Sequence, residues 1–132
     1  MAEEGVSMRE ILFRGKRLDT GEWVKGYYLH LGPVGLERTY IIPHYASALY
    51  TYEVDPATVG QFIGRVDVYG ARIFEGDIVE HASGRFVVQY INGISRFAGT
   101  KPGISFSVFV FENSVKVGNI HDNPELLEGG QA

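Results

Sequence analysis

The 132-residue chain has no cysteine, one tryptophan, two methionines and five prolines. Without cysteine there are no disulfides, no thiolate metal ligands and no thiol nucleophile or redox centre. Long hydrophobic runs are missing as well. The longest strand-like apolar run, Phe106 to Phe111, falls far short of the ~18–20 residues that span a bilayer. Met1 to Arg9 carries acids and no apolar segment, so it does not read as a secretory signal. A cytoplasmic protein that makes no membrane contact is the expectation. Positive charge is also scarce: 12 Lys and Arg face 16 Asp and Glu, for a net charge of −4. Non-specific binding to a nucleic-acid backbone depends on neutralising phosphates, and this balance argues against it, although a local basic patch is compatible with it.

What is plentiful is glycine, at 17 residues, and aromatic side chains, at 13%. Glycine supplies tight turns and aromatics fill strand faces, so the pair favours a mainly β domain. The 45% apolar and 21% charged shares are those of an ordinary globular protein, long enough to bury one core. We expect a flexible extension over residues 1–7, a single β domain over 8–128 and a flexible tail over 129–132.

Strand signals follow in quick succession. Ile11-Leu12-Phe13 is a short apolar run, and Asp19-Thr20-Gly21 a turn. Glu22 to Leu31 alternates, with Trp23, Lys25, Tyr27 and Leu29 on one face. Gly26 in its middle marks a bulge or a close approach of another backbone. Thr39 to Ile42 is a strand that Pro43 ends, and Leu49 to Val54 is another. Asp55-Pro56 has the form of a helix start, and Val59, Phe62 and Ile63 at i, i+3 and i+4 predict a short helix over 56–63. Glu75-Gly76-Asp77 reads as a turn, with Asp77 bonding backbone N–H groups and Glu75 solvated. Asn92-Gly93 predicts a two-residue hairpin that sets Val88 opposite Phe97. A second hairpin is expected between 104–111 and 115–120, and a helical turn near 124–127 after Asn123. The fold class is therefore a compact antiparallel barrel or sandwich with one small helix and a C-terminal helical turn.

Chemistry is harder to find. Gly15-Lys16 lacks both the upstream glycine and the following Ser or Thr of a phosphate loop. No two of His30, His44, His81 and His121 have the spacing of paired metal ligands. Glu75 and Asp77 form a carboxylate pair that the turn explains better than acid–base work, and in His121-Asp122 adjacent side chains rarely face each other. We expect no enzyme, no catalytic residues, no metal and no cofactor. Two binding readings remain. The first is self-association or partner binding through the aromatic-rich β surface, giving a homo-oligomer or a complex with another protein. The second is a single-stranded nucleic-acid module in which Arg14, Lys16 and Arg17 provide charge and Trp23 and Tyr27 provide stacking. Against it, the Arg9 to Arg17 cluster reads most simply as a solvated strand and turn.

Four ordered blocks resemble the YopX family of phage- and prophage-encoded bacterial proteins. They are Met8-Arg9-Glu10-Ile11-Leu12-Phe13-Arg14-Gly15-Lys16 with Gly21-Glu22-Trp23-Val24 and Gly26-Tyr27; Val54-Asp55-Pro56 with Thr58-Val59-Gly60-Gln61-Phe62 and Gly64; Ile73-Phe74-Glu75-Gly76-Asp77-Ile78-Val79; and Val117-Gly118-Asn119-Ile120 with Asn123-Pro124-Glu125-Leu126-Leu127. The resemblance implies that Met8 corresponds to the usual start. It also implies a largely β, barrel-like domain that assembles into oligomers in a bacterial host cell. It implies no definite activity. One departure stands out: Asp67-Val68-Tyr69-Gly70 carries Tyr where the family's turn has Asn, a residue that tolerates positive φ.

Overall fold

The computed structural model describes residues 10–45, 50–101, 104–108 and 110–129. The expected extension over 1–7 lies outside the described residues, as does most of the tail. Among the described residues eleven strands form two antiparallel sheets. The first contains β1 (Phe13–Lys16), β2 (Trp23–Leu31), β3 (Arg38–Ile42), β4 (Tyr52–Glu53), β5 (Gly60–Val66) and β6 (Arg72–Phe74), in the order β4-β3-β2-β1-β5-β6. The second contains β7 (Asp77–His81), β8 (Gly84–Ile91), β9 (Arg96–Lys101), β10 (Ile104–Ser107) and β11 (Val115–Asn119), in the order β10-β9-β8-β7-β11. The architecture is mainly β and sandwich-like, without a closed barrel. A short helix α1, Glu125–Gly129, follows Asn123-Pro124 where the helical turn is expected.

The helix over 56–63 is not formed. Asp55 does cap a start, its Oδ1 accepting from the Ala57 amide at 3.0 Å, but only a 3-10 turn Pro56–Thr58 follows. Val59 is extended, and β5 begins at Gly60, paired through Arg14↔Gly60 and Phe13↔Gln61. A two-turn helix gains few internal hydrogen bonds, whereas the same residues as a strand join a sheet on both sides. The Thr58 hydroxyl anchors the turn by accepting from the Lys16 amide at 2.9 Å and donating to the Asp55 carbonyl at 2.6 Å. Gly60 lies against the Glu75 carbonyl, in the space a Cβ would occupy.

The hairpin registers also differ from expectation. Asn92–Ile94 is a 3-10 turn closed by Ser95 at φ 55, so the loop is four residues and Val88 faces Gly99 while Tyr90 faces Phe97. The shift of two residues keeps every side chain on its expected face. It also brings Gly99 under Phe86 and Val110, whose side chains fill the space of a Cβ. The second expected hairpin is replaced altogether: β10 pairs with β9, and β11 crosses to β7. The chain between them turns through Asn113 at φ 60.

Among the described residues two buried clusters hold the fold. Ile73, Val79, Phe86, Val88, Val110 and Phe111 form the larger, and Leu12, Phe62 and Phe74 the smaller. The turn at 67–70 resolves the departure at Tyr69, because positive φ falls on Gly70 (84°) and not on Tyr69. Asp67 organises it, its carboxylate accepting from the amides of Tyr69, Ala71 and Lys116 at 2.9, 2.9 and 3.0 Å. Those three bonds hold its pKa below the usual carboxylate value.

Candidate binding site: a cationic cleft beside an apolar sheet face

The β1–β2 register sets Arg14 opposite Lys25 and Lys16 opposite Trp23. Alternation then places Arg14, Lys16, Trp23, Lys25 and Tyr27 on one face of the sheet and Arg17 on the other. Of the five residues predicted for a nucleic-acid site, the structure gathers Arg14, Lys16 and Trp23. Tyr27 shares their face farther along β2, its ring 4.1 Å from that of His44. Arg17 is separated: it forms a two-pronged bridge to Asp19 at 3.0 and 2.8 Å and stacks over Tyr52 at 4.3 Å.

Arg14 corrects the expectation of a solvated basic cluster. Its side chain is 6% exposed and meets the wholly buried Asp77 carboxylate at 2.9 Å. The guanidinium also stacks 4.6 Å over the Trp23 ring and donates to the Glu75 carbonyl at 3.4 Å. Asp77 plays the expected turn role, since its Oδ2 accepts from the Phe74 amide at 2.7 Å after Gly76 turns at φ 93. The same carboxylate draws in Lys116 at 3.3 Å, whose ammonium also donates to the Arg72 carbonyl at 2.9 Å. Glu75 is half-buried rather than fully solvated, and its carboxylate accepts from the Gln61 amide at 3.4 Å.

Beneath these groups lies the Phe74 ring, with Arg14, Lys25 and Lys116 at 5.0, 5.4 and 5.6 Å from its centroid. Lys25 keeps an exposed face. Its pKa is lowered first by partial burial and then by repulsion from Lys116, Arg14 and Arg72. Beside them, Asp122 pairs with Lys16 and accepts from Trp23 Nε1 at 2.8 Å and Asn119 Nδ2 at 3.2 Å. The Lys16 hydrogen bond, followed by that of Trp23, pulls its pKa down to about 2. Asp122 is thus turned to Lys16 and Trp23, while the His121 ring stands 5.9 Å from the Trp23 ring. Burial, then Arg14 and Lys16, lower the His121 pKa and favour its neutral form.

Lys116, Asp122 and the pairing role of Asp77 are absent from the sequence-based site. Lys25 was visible as a face-mate of Trp23, but the others arrive from β7, β11 and the segment after it. Among the described residues no group of three or more His, Asp or Glu is arranged to hold a metal ion.

The same face continues away from the cations as an apolar groove of about 520 Å³, lined by Leu29, Leu31, Pro33, Leu36, Tyr40 and Ile42. Leu31 is 55% and Leu36 69% exposed. Its rim charges cancel, Arg38 meeting Glu53 at 3.1 Å. Among the described residues no helix is long and apolar enough to cross a membrane.

Comparison with known proteins supports the fold. The profile of the family described as "YopX protein" matches residues 12–128. Among solved structures, the crystal structure of protein EF1440 from Enterococcus faecalis is similar, with a TM-score of 0.53 and 20% identity over 91% of this chain and 99% of that one. At that identity the likeness establishes the fold alone. The curated proteins contain no match to the chain.

Proposed function

Because the chain belongs to the YopX family, we propose that it is a non-enzymatic, phage- or prophage-encoded module that pairs with a second copy of itself through the open face of β2 and β3. The observation that carries this reading is the exposure of the large apolar side chains in the first half. Tyr27, Leu31, Val34, Leu36, Tyr45 and Tyr50 all lie on the surface. Leu31 and Leu36 of this set line the groove, and an exposed apolar groove of this kind marks an interaction site. A second copy is the fitting occupant because the groove carries no net charge, so the same patch faces itself without repulsion, as a two-fold interface requires. The non-enzymatic half draws support from the carboxylates of the cleft. Asp77 is committed to Arg14, Lys116 and the Phe74 amide, and Asp122 to Lys16, Trp23 and Asn119. In this reading the protein works in the cytoplasm of the bacterial host.

Light scattering and sedimentation over a wide concentration range test the proposal. A monomer–dimer equilibrium abolished by charge on the groove is expected. A strict monomer at all concentrations overturns self-pairing, and a stable complex with a host or phage protein on the same face would assign that face to another partner.

A further inference from the structure

The cleft around Phe74 holds more positive charge than its own carboxylates neutralise. Lys16 is matched by Asp122 and Arg72 by Glu10, the latter at 3.0 Å. Arg14, Lys25 and Lys116 remain, all within 5.6 Å of one ring centroid, and among the described residues Asp77, paired with Arg14 and Lys116, is the one carboxylate in ion-pair contact with any of them. Two positive charges are left over. Among the described residues Lys25 meets no carboxylate and donates no hydrogen bond; its one contact of note is the ring. Among the described residues the Arg14 Nε–H is a second unmet donor, buried with no hydrogen-bond partner, as is the acceptor Asp77 Oδ1 beside it. Burying a donor without an acceptor is costly, crowding like charges adds to the cost, and an anion in the cleft would offset the second.

We propose that Lys25, Lys116 and Arg14 form a binding site for a phosphate dianion, either inorganic phosphate or the terminal phosphate of a small monoester. The charge matches: two excess positives meet two negatives. The donors match as well. Lys25 offers three N–H groups from the solvent side, and Lys116 offers what remains after its bonds to Asp77 and the Arg72 carbonyl. Arg14 supplies fixed positive charge at the inner end, held in place by Asp77 and Trp23. Lysine binds phosphate as a mobile point charge, and Lys25 and Lys116 both act so here. Lys25 stands on the open sheet face, so the ligand has a route in from solvent.

The only tryptophan of the chain is a built-in reporter, since the Arg14 guanidinium lies 4.6 Å from the Trp23 ring. Sodium phosphate and glycerol phosphate are titrated separately at pH 8, above the second pKa of the ester (about 6) and that of free phosphate, about one unit higher, so both are mainly dianions. Ionic strength is held constant with sodium chloride. A saturable change in Trp23 fluorescence is expected, with K25Q and K116Q each weakening binding at least tenfold and R96Q, at an exposed position on β9, leaving it within twofold. Tighter binding of one probe identifies its source as free phosphate or ester. In parallel, the Lys25 ammonium pKa followed by NMR rises on adding phosphate and stays put with chloride. Lack of saturation by either probe overturns the site, as does an equal response to chloride or unchanged binding in a K25Q protein whose circular dichroism is native. Light scattering in the same samples separates this result from the outcome for self-pairing, on which the site does not depend.

Discussion

Arg14 and Asp77 meet at 2.9 Å with almost no exposure of either side chain, and the contact ties β1 of one sheet to β7 of the other. Two charges removed from water are tolerated only because each is met by further partners: Trp23 and the Glu75 carbonyl for Arg14, Lys116 and the Phe74 amide for Asp77. Removing one partner leaves the other charge buried and exposed to the full desolvation cost. Asp77→Ala is therefore expected to destabilise the fold by about 3–5 kcal/mol, and Arg14→Met with Asp77→Leu together by much less than the sum of the single changes. Urea midpoints of Asp77→Ala, of the double variant and of its two single changes measure this. A loss below about 1 kcal/mol for Asp77→Ala would show that the pair does not bridge the sheets in solution.

Gly26 pairs opposite Phe13 in β1 and faces the Ile42 carbonyl and the Pro43 backbone, which occupy the position of a Cβ. Backbone cannot move aside as a flexible side chain does. Gly26→Ala should cost about 1–3 kcal/mol through forced separation of β2 and β3. Gly93 meets open space and has ordinary φ, so Gly93→Ala should fall within about 0.5 kcal/mol of the parent. Paired thermal melts check the contrast.

Acid should lower the stability of the protein over two separate pH windows. The folded Asp122 pKa is about 2, below the usual 3.8. The unfolded chain therefore takes up the proton first, and stability present above pH 3.8 is lost as pH falls toward 2. Asp122→Asn should flatten stability across pH 2–4. His121 acts at higher pH. Its folded pKa is depressed below 6.5 by burial and nearby cations, so stability declines as pH falls through 6.5. His121→Gln should remove that part of the slope. Denaturant midpoints from pH 2 to 8 locate both windows.

The self-pairing face is probed at Leu31 and Leu36, both well exposed. Leu31→Glu combined with Leu36→Glu should leave the monomer's melting temperature nearly unchanged and abolish concentration-dependent association. Surface changes of this type usually move stability by less than about 0.5 kcal/mol, whereas charge buried without a partner in a dimer interface is strongly unfavourable. Sedimentation equilibrium gives the readout.

Local residue chemistry determined a large part of this protein. The β2 alternation, the Pro43 stop, the Asp55 cap, the Gly76 turn and the closing helix after Asn123-Pro124 are all legible in the chain, because each depends on a φ preference or a period of two. What escaped was whatever depended on a distant partner. Val59, Phe62 and Ile63 fit a helical period as well as a strand, and pairing of Gly60 and Gln61 with β1 decided between them. The Asn92-Gly93 loop lengthened to a register that brings Gly99 beneath Phe86 and Val110. The site follows the same division. Lys16, Trp23 and Lys25 share a face by alternation, so the sequence alone places them together. Whether Arg14 is a solvated charge or a buried one depended on Asp77 arriving from the other sheet. The cleft's excess charge depended in turn on β11 pairing with β7 and delivering Lys116 to the same ring. Periodicity is local and written in neighbouring residues, whereas burial and ion pairing are properties of surfaces that meet only after the chain has folded.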